Sequence, residues 1–227
     1  RDASAGDSLY LWTDTHWKGR GVRLAAQLVA ERIRQYPWFS EGSVEYAIDT
    51  VQVLRTGDVG VMTQLPRLRV RDLELGFPKE PTKCYRVFWV RRDEAGNELN
   101  RVPYDTTFKD GRYRRQMEAM STILLIGDSF SRIYQTDEPT SAGWISHLAY
   151  NLRQPVASIV SDGGASTLVR QTLVRNMVKA IEEKKRSVLD GKKLVVWEFV
   201  ERDLRFGAEG WKDLALPAKP AGNNSDM

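Results

Sequence analysis

The sequence predicts an α/β fold with a parallel central sheet and a β-rich insertion over about residues 40–120. After Ser121, three short apolar runs alternate with two helical segments, and each run ends at glycines or polar residues. This alternation is typical of parallel strands joined by crossover helices, and ligands bind at the carboxyl ends of such strands. The ends of the three runs are therefore the predicted location of a functional site.

Composition and net charge indicate which kinds of protein and of binding partner to expect. The 227 residues, 41% of them hydrophobic, are enough for a substantial core, and the single cysteine, Cys84, excludes an internal disulfide and a cysteine-rich zinc site. We expect Cys84 to be a buried apolar residue. The net charge of +4 favours an anionic partner, but basic residues alternate with acidic ones instead of forming a stripe, which argues against nucleic acid.

Targeting signals are not visible in the sequence. No stretch approaches the roughly 18 apolar residues of a membrane span, and the first residues lack the basic and apolar regions of a signal peptide. The chain is therefore cytosolic, or it is a mature or truncated piece of a longer protein.

The N-terminal half begins with YLWTDTHW, whose residues favour a strand, followed by a helix predicted over about residues 19–36. In that helix Leu24, Leu28 and Ile33 recur near helical spacing. Residues 40–120 contain short β-like runs separated by turn signals such as DEAGN. We expect one domain over residues 1–227, and a strand so close to Arg1 indicates that part of this domain lies upstream of the chain.

The C-terminal half supplies the strands and helices of the predicted parallel sheet. STILLIGDS, PVASIVSDGG and KKLVVWEF are the strand candidates, WISHLAYNL is a short helix, and STLVRQTLVRNMVKAIEEKKRSVL is a long amphipathic helix. The residues that follow the three strands are Ser129, Asp162 with Gly163 and Gly164, and Glu198.

A serine hydroxyl needs a base, which is usually a histidine oriented by a carboxylate. His16 follows Asp14 by two positions, and in an extended segment such residues lie on the same side, about 6–7 Å apart. Asp14 would then bind the His16 Nδ1 hydrogen and leave Nε2 for a hydroxyl. A structural pair that caps the following helix is the alternative. His147 lies in a helical stripe without a nearby acid, so we expect a packed or solvated helix residue there.

Ser129 ends the first apolar run in the tripeptide Gly127–Asp128–Ser129. A strand-to-helix turn presents a hydroxyl outward, beside backbone N–H groups and the positive end of a helix dipole. A plain helix cap is the alternative function of this serine. The motif lacks the second glycine of the G-x-S-x-G turn, which argues against an α/β-hydrolase fold.

The Gly-Asp-Ser block resembles the first block of the SGNH hydrolases. The four blocks DTHW, GDSFSRIYQ, DGGASTLVRQ and VVWEFVERDLRF, in this order, resemble the alginate O-acetyltransferases of the AlgJ/AlgX type, whose catalytic Asp and His precede the Ser. The resemblance covers nearly the whole chain. It implies an SGNH hydrolase-like three-layer sandwich, with Ser129 as nucleophile, His16 as base and Asp14 as the residue that orients His16.

The resemblance is less complete for the oxyanion hole and the substrate site. Gly163 or Gly164 suits the glycine of the hole, but no G-x-N-D block follows the third run, where Trp197 and Glu198 stand instead. Further candidates for oxyanion or substrate binding, each with a purely structural alternative, are Tyr134 (helix packing), Arg132 (a surface ion pair) and Trp17 (core packing). Trp12, Trp144 and Trp197 also lie near the catalytic blocks, where tryptophans stack on sugars or pack in a core.

The resemblance implies transfer of an acetyl group through an acetyl-serine onto hydroxyls of an anionic exopolysaccharide, the mannuronate residues of alginate, without a metal or cofactor. It further implies a periplasmic location, an acetyl donor delivered by a membrane acyl-transfer protein, other polysaccharide-export partners and an inner-membrane anchor outside this chain. A carbohydrate acetylesterase with the same triad and a non-catalytic polysaccharide-binding module are the alternatives.

Overall fold

The computed structural model describes residues 8–63, 69–70, 73–74, 78–104, 119–162, 167–206 and 211–217. The chain divides into two compact units. The first unit comprises Arg1–Phe108 and Ile133–Gln154, and the second comprises Lys109–Arg132 and Pro155–Met227. One domain over the whole chain stays a prediction.

The helices and strands follow one another in a mixed α/β order. In the N-terminal half they are α1 (Gly19–Arg34), β1 (Tyr46–Arg55), α2 (Asp58–Met62), β2 (Arg69–Val70), β3 (Leu73–Glu74), β4 (Glu80–Arg92) and β5 (Glu98–Pro103). They continue with β6 (Ile123–Gly127), α3 (Ser129–Arg132), α4 (Trp144–Leu152), β7 (Ala157–Val160), α5 (Leu168–Glu182), β8 (Leu194–Trp197) and a 3₁₀ helix (Glu201–Phe206).

The first unit contains the β-rich insertion that the sequence predicts. Its antiparallel sheet has the strand order β1-β4-β5, and β1 pairs with β4 from Tyr46 opposite Trp89 to Arg55 opposite Glu80. Strands β2 and β3 form a separate two-stranded sheet. Cys84 on β4 is fully buried, and this burial raises the pKa of its thiol to about 12. The prediction of a buried cysteine is therefore confirmed.

Helix α1 begins where it was predicted and ends two residues earlier, but its buried face differs from the prediction. Val22, Ala26, Ala30 and Ile33 are buried, whereas Leu24 and Leu28 are 41% and 56% exposed. Close backbone approach explains the difference, because a Cβ atom on Gly19 would lie 2.3 Å from the carbonyl oxygen of Lys83. Helix α1 therefore packs against β4 and α4 through its smaller residues.

The predicted strand at YLWTDTHW is wrong, because this segment forms a loop. Tyr10 and Trp17 form an isolated antiparallel bridge, and the Lys18 N–H donates to the Leu9 carbonyl at 2.7 Å. Inside the loop, the N–H groups of Thr13 and Thr15 donate to the side chains of Glu80 and Asp58, so no neighbouring strand satisfies them.

The second unit contains the parallel sheet, in the strand order β7-β6-β8. All five residues of β6 are buried, and β6 pairs in parallel with β7 on one side and β8 on the other. The predicted α/β fold class is therefore confirmed. Helix α5 packs Val169, Leu173 and Met177 against the apolar residues of β6 and β7. It ends at Glu182, well before Leu189, because no apolar residue follows Ile181 until Val188.

Within the described ranges, no helix has both the length and the apolar composition that crossing a membrane requires.

Candidate active site

Asp14 and His16 form a hydrogen-bonded pair in the first unit. Asp14 Oδ1 lies 2.6 Å from His16 Nδ1 and also accepts the His16 backbone N–H at 3.0 Å. The two residues are brought together by a side-chain-to-backbone turn, in which an aspartate binds the N–H two positions later, and not by a strand. This geometry fixes the ring of His16 relative to the loop.

The side chain of Asp14 is buried, with 1% of its surface exposed. Burial acts to raise its pKa, but hydrogen bonds from the His16 ring and backbone, together with the charge of His16, outweigh burial and hold the pKa at about 2. The Arg55 guanidinium also lies close to this carboxylate, with Nη2 3.9 Å from Asp14 Oδ2. Asp14 is therefore ionised at neutral pH and can stabilise a positive charge on His16.

Two further acidic residues hold the loop that carries Asp14 and His16. Asp58 accepts the Thr15 N–H at 2.7 Å and the Thr15 hydroxyl, and Glu80 accepts the Thr13 N–H at 2.8 Å and the Trp12 N–H at 3.0 Å. The sequence analysis missed both residues. They lie more than forty positions from the loop, and no local motif connects them to it.

A close backbone contact at Gly57 also holds this loop in place. A Cβ atom at this position would lie 1.8 Å from the carbonyl oxygen of Thr13, and that carbonyl accepts the Val59 N–H at 3.1 Å. Only glycine permits this approach of the two backbones.

Among the described residues, Asp14, His16 and Asp58 have the spacing that a metal ion would need, since their ligand atoms lie within 4.8 Å of one another. The same distances also fit hydrogen bonding, because His16 Nδ1 lies 2.6 Å from Asp14 Oδ1 and 3.5 Å from Asp58 Oδ2. The arrangement can therefore orient and charge-stabilise an imidazole without a metal.

Tyr134 belongs to the first unit and is fully buried, with a left-handed backbone φ of 58°. The Arg55 guanidinium lies 5.0 Å from the centroid of its ring, and burial raises the pKa of the Tyr134 hydroxyl. Tyr134 thus supports the arginine that stands beside Asp14. This position favours the packing alternative for Tyr134, while a part in oxyanion or substrate binding stays a prediction.

Ser129 lies in the second unit, at the first position of α3 and two residues after the end of β6. Asp128 closes this turn with its side chain, whose Oδ1 accepts the Phe130 N–H at 2.7 Å. The carbonyl of Asp128 accepts the N–H groups of Ser131 and Arg132 at 3.0 and 3.1 Å. The turn is therefore fixed on both sides of a partly exposed Ser129.

Glu198 supports the Ser129 turn from the neighbouring strand. Its Oε2 accepts the Asp128 N–H at 3.0 Å and the Ser131 hydroxyl at 2.8 Å. Burial and then the charge of Asp128 raise the pKa of Glu198 to about 7, and burial raises the pKa of Asp128 as well. In the sequence, Glu198 was noticed because it follows the third predicted strand and stands where a G-x-N-D block was expected, but no role was assigned to it.

The remaining candidates have different surroundings. Arg132 forms an ion pair with Asp162, as its structural alternative predicts, and its binding of a substrate carboxylate stays a prediction. Gly163 and Gly164 lie outside the described residues. Trp17 packs edge to face on Trp144, with ring centroids 6.4 Å apart.

The tryptophans near the catalytic blocks also differ in exposure. Trp144 is buried, whereas Trp12, two residues before Asp14, is 76% exposed. In the second unit, Trp197 packs against Phe199 and Trp211. Trp12 is thus the member of the group best placed to stack on a ligand in solution.

Comparison with known proteins places these residues in a family context. The family model described as SGNH hydrolase-like domain, acetyltransferase AlgX, matches residues 1–201. Comparison with curated proteins gives no match.

Two solved structures resemble the chain. The O-acetyltransferase domain of Pseudomonas putida AlgJ has 20% sequence identity and a TM-score of 0.53, over 88% of this chain and 55% of that chain. Pseudomonas aeruginosa AlgX has 15% identity and a TM-score of 0.53, over 87% of this chain and 37% of that chain. At these identities the likeness shows the fold, and the chain spans only part of the length of either protein. Because the family match extends over most of the 227 residues, the chain belongs to the SGNH hydrolase-like acetyltransferase domains of the AlgX family.

Proposed function

We propose that the chain is an O-acetyltransferase domain that moves an acetyl group through an acetyl-Ser129 intermediate onto hydroxyls of mannuronate residues in alginate. The observation that carries this proposal is the 2.6 Å hydrogen bond between Asp14 and His16 in a member of an acetyltransferase family. Such a pair is the base that a serine nucleophile requires. Ser129, at the end of a buried strand and the start of a helix, suits the role of nucleophile.

In the proposed mechanism, His16 Nε2 accepts the hydroxyl proton of Ser129 while the serine oxygen attacks the carbonyl carbon of an acetyl ester. Backbone N–H groups at the start of α3 stabilise the tetrahedral oxyanion, and ionised Asp14 stabilises the imidazolium. The proton on His16 then passes to the departing alkoxide, which leaves acetyl-Ser129. A sugar hydroxyl, deprotonated by the same histidine, attacks this ester and regenerates the serine.

The proposed acceptor is an anionic polysaccharide. The net charge of +4 favours an anionic ligand, and Trp12 offers an exposed ring two residues from Asp14. Aromatic rings bind the apolar faces of sugars, so Trp12 suits a chain of pyranose rings. These features support polysaccharide as the substrate class, and the family supports alginate within that class.

The biological setting follows from the family and is part of the proposal. We place the domain in the periplasm, tethered to the inner membrane by a segment outside this chain, where a membrane acyl-transfer protein delivers the acetyl donor. Other polysaccharide-export proteins are its proposed partners.

An acetylesterase would use the same residues, because it differs only in using water at the second step. A polysaccharide-binding module would keep the fold without the chemistry. Among the described residues, no specific contact favours either alternative. The hydrogen bond between Asp14 and His16 argues against a non-catalytic binding module.

The experiment combines the protein with an acetyl ester donor and mannuronate oligomers and follows both by mass spectrometry, with Ser129→Ala as the control. We expect the oligomer to gain acetyl groups with the wild-type protein and none with the variant. Cleavage of the donor without acetylation of the oligomer would instead establish an esterase. Absence of cleavage by a folded wild-type protein would overturn both enzymatic functions.

A further inference from the structure

The topology of the second unit places Glu198 directly beside the Ser129 turn. Strand β8 pairs in parallel with β6, with Trp197 opposite Ile126. The Glu198 N–H continues this ladder by donating to the Ile126 carbonyl at 2.8 Å. The backbone of Glu198 is therefore fixed beside Ile126, which lies near the end of β6 and two residues before Asp128.

The side chain of Glu198 joins the two sides of the turn. A single oxygen, Oε2, accepts one hydrogen bond from the backbone of Asp128 and another from the hydroxyl of Ser131. Asp128 directly precedes Ser129 and Ser131 lies two residues after it, so Glu198 binds the backbone before the serine and a side chain after it.

Gly127 shows how closely this support is packed. A Cβ atom there would lie 2.2 Å from Ser131 Oγ and 2.6 Å from Glu198 Oε2. The glycine of the Gly-Asp-Ser block therefore provides the room that Glu198 and Ser131 occupy.

The charge of Glu198 is set by its neighbours. Its carboxyl interacts with that of Asp128, which is 1% exposed, and two carboxylates in such a site do not both ionise readily. The other charged groups near the pair are Asp203, which opposes ionisation of Asp128, and Arg202, which favours it. Burial acts to raise the pKa of both carboxyl groups, but the hydrogen bond between them acts to raise the pKa of Glu198 and to lower that of Asp128, so the proton of the pair belongs on Glu198.

We propose that Glu198, in its protonated form, is a positioning residue that holds the Ser129 turn in the shape needed for acylation. The proposal rests on the proposed function of Ser129. When Glu198 loses its proton, a second negative charge appears beneath the turn, where it repels Asp128 and opposes the oxyanion that forms at Ser129. Because the pKa of Glu198 is raised to about 7, acylation is weakened as the pH rises through this value.

The experiment compares the wild-type protein with Glu198→Gln, whose amide reproduces the protonated acid: its carbonyl accepts the same two hydrogen bonds and its NH₂ donates to Asp128. The matched control is Glu201→Gln, which makes the same substitution at an exposed position three residues later. The readout is the rate at which a fluorophosphonate probe modifies Ser129, measured from about pH 6 to about pH 9.

We expect the ratio of the Glu198→Gln rate to the wild-type rate to rise at least about tenfold between about pH 7 and about pH 9. The two proteins differ only at position 198, so pH effects from the rest of the protein cancel in this ratio. The Glu201→Gln ratio should stay constant. A flat Glu198→Gln ratio, with a wild-type protein that is labelled normally, would overturn the role of Glu198 and leave Ser129 as the nucleophile.

The absence of labelling in a folded wild-type protein would overturn the role of Ser129 itself, and the role of Glu198 with it. A second variant tests the proposal in case the substitution of Glu198 prevents folding. Ser131→Ala removes one of the two hydrogen bonds to Glu198 without changing a charge, and we expect it to lower the labelling rate at every pH. Unchanged labelling by Ser131→Ala would contradict the proposed support of the turn.

Discussion

At the scale of single residues, Asp14 is held by contacts to both of its carboxylate oxygens. One of its oxygens accepts two hydrogen bonds from His16, and the other faces Arg55. The carboxylate is therefore needed both for the shape of the loop and for the charge of the proposed base. A substitution at this position tests the two contributions separately.

The first prediction concerns acid stability. The pKa of Asp14 falls from its ordinary value of 3.8 to about 2, so its ionised form stabilises the folded state above pH 3.8, and this stability is lost as the pH falls through about 2. The shift corresponds to about 2 kcal/mol. We expect the unfolding free energy of the wild type to fall by about that much more than that of Asp14→Asn on acidification, as measured by urea unfolding.

Equal acid sensitivity of the two proteins would contradict this account of Asp14. At neutral pH the isosteric Asp14→Asn variant should be less stable than the wild type. It should also lose most of its proposed activity, because an amide does not stabilise an imidazolium as a carboxylate does.

A substitution at Trp12 tests substrate binding separately from the chemical steps at Ser129. Its backbone N–H is held by Glu80, while its ring is largely exposed. We expect Trp12→Ala to raise the KM for mannuronate oligomers about tenfold, since a stacked ring contributes on the order of 1 kcal/mol or more. Hydrolysis of a small acetyl ester should be unchanged. An unaltered KM for oligomers would remove Trp12 from the substrate site.

At the scale of elements, the loop over residues 10–17 is held by contacts that the sequence does not display. The spacing of Asp14 and His16 correctly predicted that the two side chains would meet, but it predicted a strand where the structure has a turn. Asp58 and Glu80, which hold the loop, come from distant elements, and only the folded chain brings them near.

The prediction for this loop concerns a substitution at Gly57. A methyl group at this position would overlap the Thr13 carbonyl, so Gly57→Ala should displace the loop and destabilise the first unit by about 2–4 kcal/mol. The comparison is Gly96→Ala, where no atom lies within 4 Å of the new Cβ and only the positive φ of 85° is unfavourable. Thermal unfolding measures both, and an equal loss of stability in the two variants would contradict the close contact at Gly57.

The prediction of α1 shows that hydrophobic periodicity can locate a helix and still assign the wrong buried face. Hydrophobic periodicity located the helix but assigned Leu24 and Leu28 to the buried face, because the pattern weighs large apolar residues most heavily. In the structure the close packing of α1 on β4 selects glycines and alanines instead. The long helix α5 was likewise placed correctly, and its end was missed because the charged residues after Ile181 are compatible with a helix in isolation.

At the scale of the whole molecule, the predicted fold class rested on the alternation of apolar runs and helical segments after Ser121, and these runs form the parallel β7-β6-β8 sheet. The alternation of strands and helices predicts that the strands run parallel. It determines neither the strand order nor the register, and it is the register of β8 on β6 that brings Glu198 to the Ser129 turn. The sequence therefore indicated candidate residues, whose catalytic roles stay predictions, whereas the contacts that hold these residues became visible only in the fold.

The proposed catalytic residues are distributed over both units, with Asp14 and His16 in the first and Ser129 in the second. The central claim is that these residues act as one set, and it requires that His16 activate Ser129. The most direct measurement is to expose the protein to an acetyl ester donor, quench the reaction in acid and locate the acetyl group by peptide mass spectrometry. We predict an acetyl group on Ser129 in the wild type and about a thousandfold slower acylation in His16→Ala. Acetylation at another residue, or acylation of Ser129 at the same rate without His16, would contradict the account.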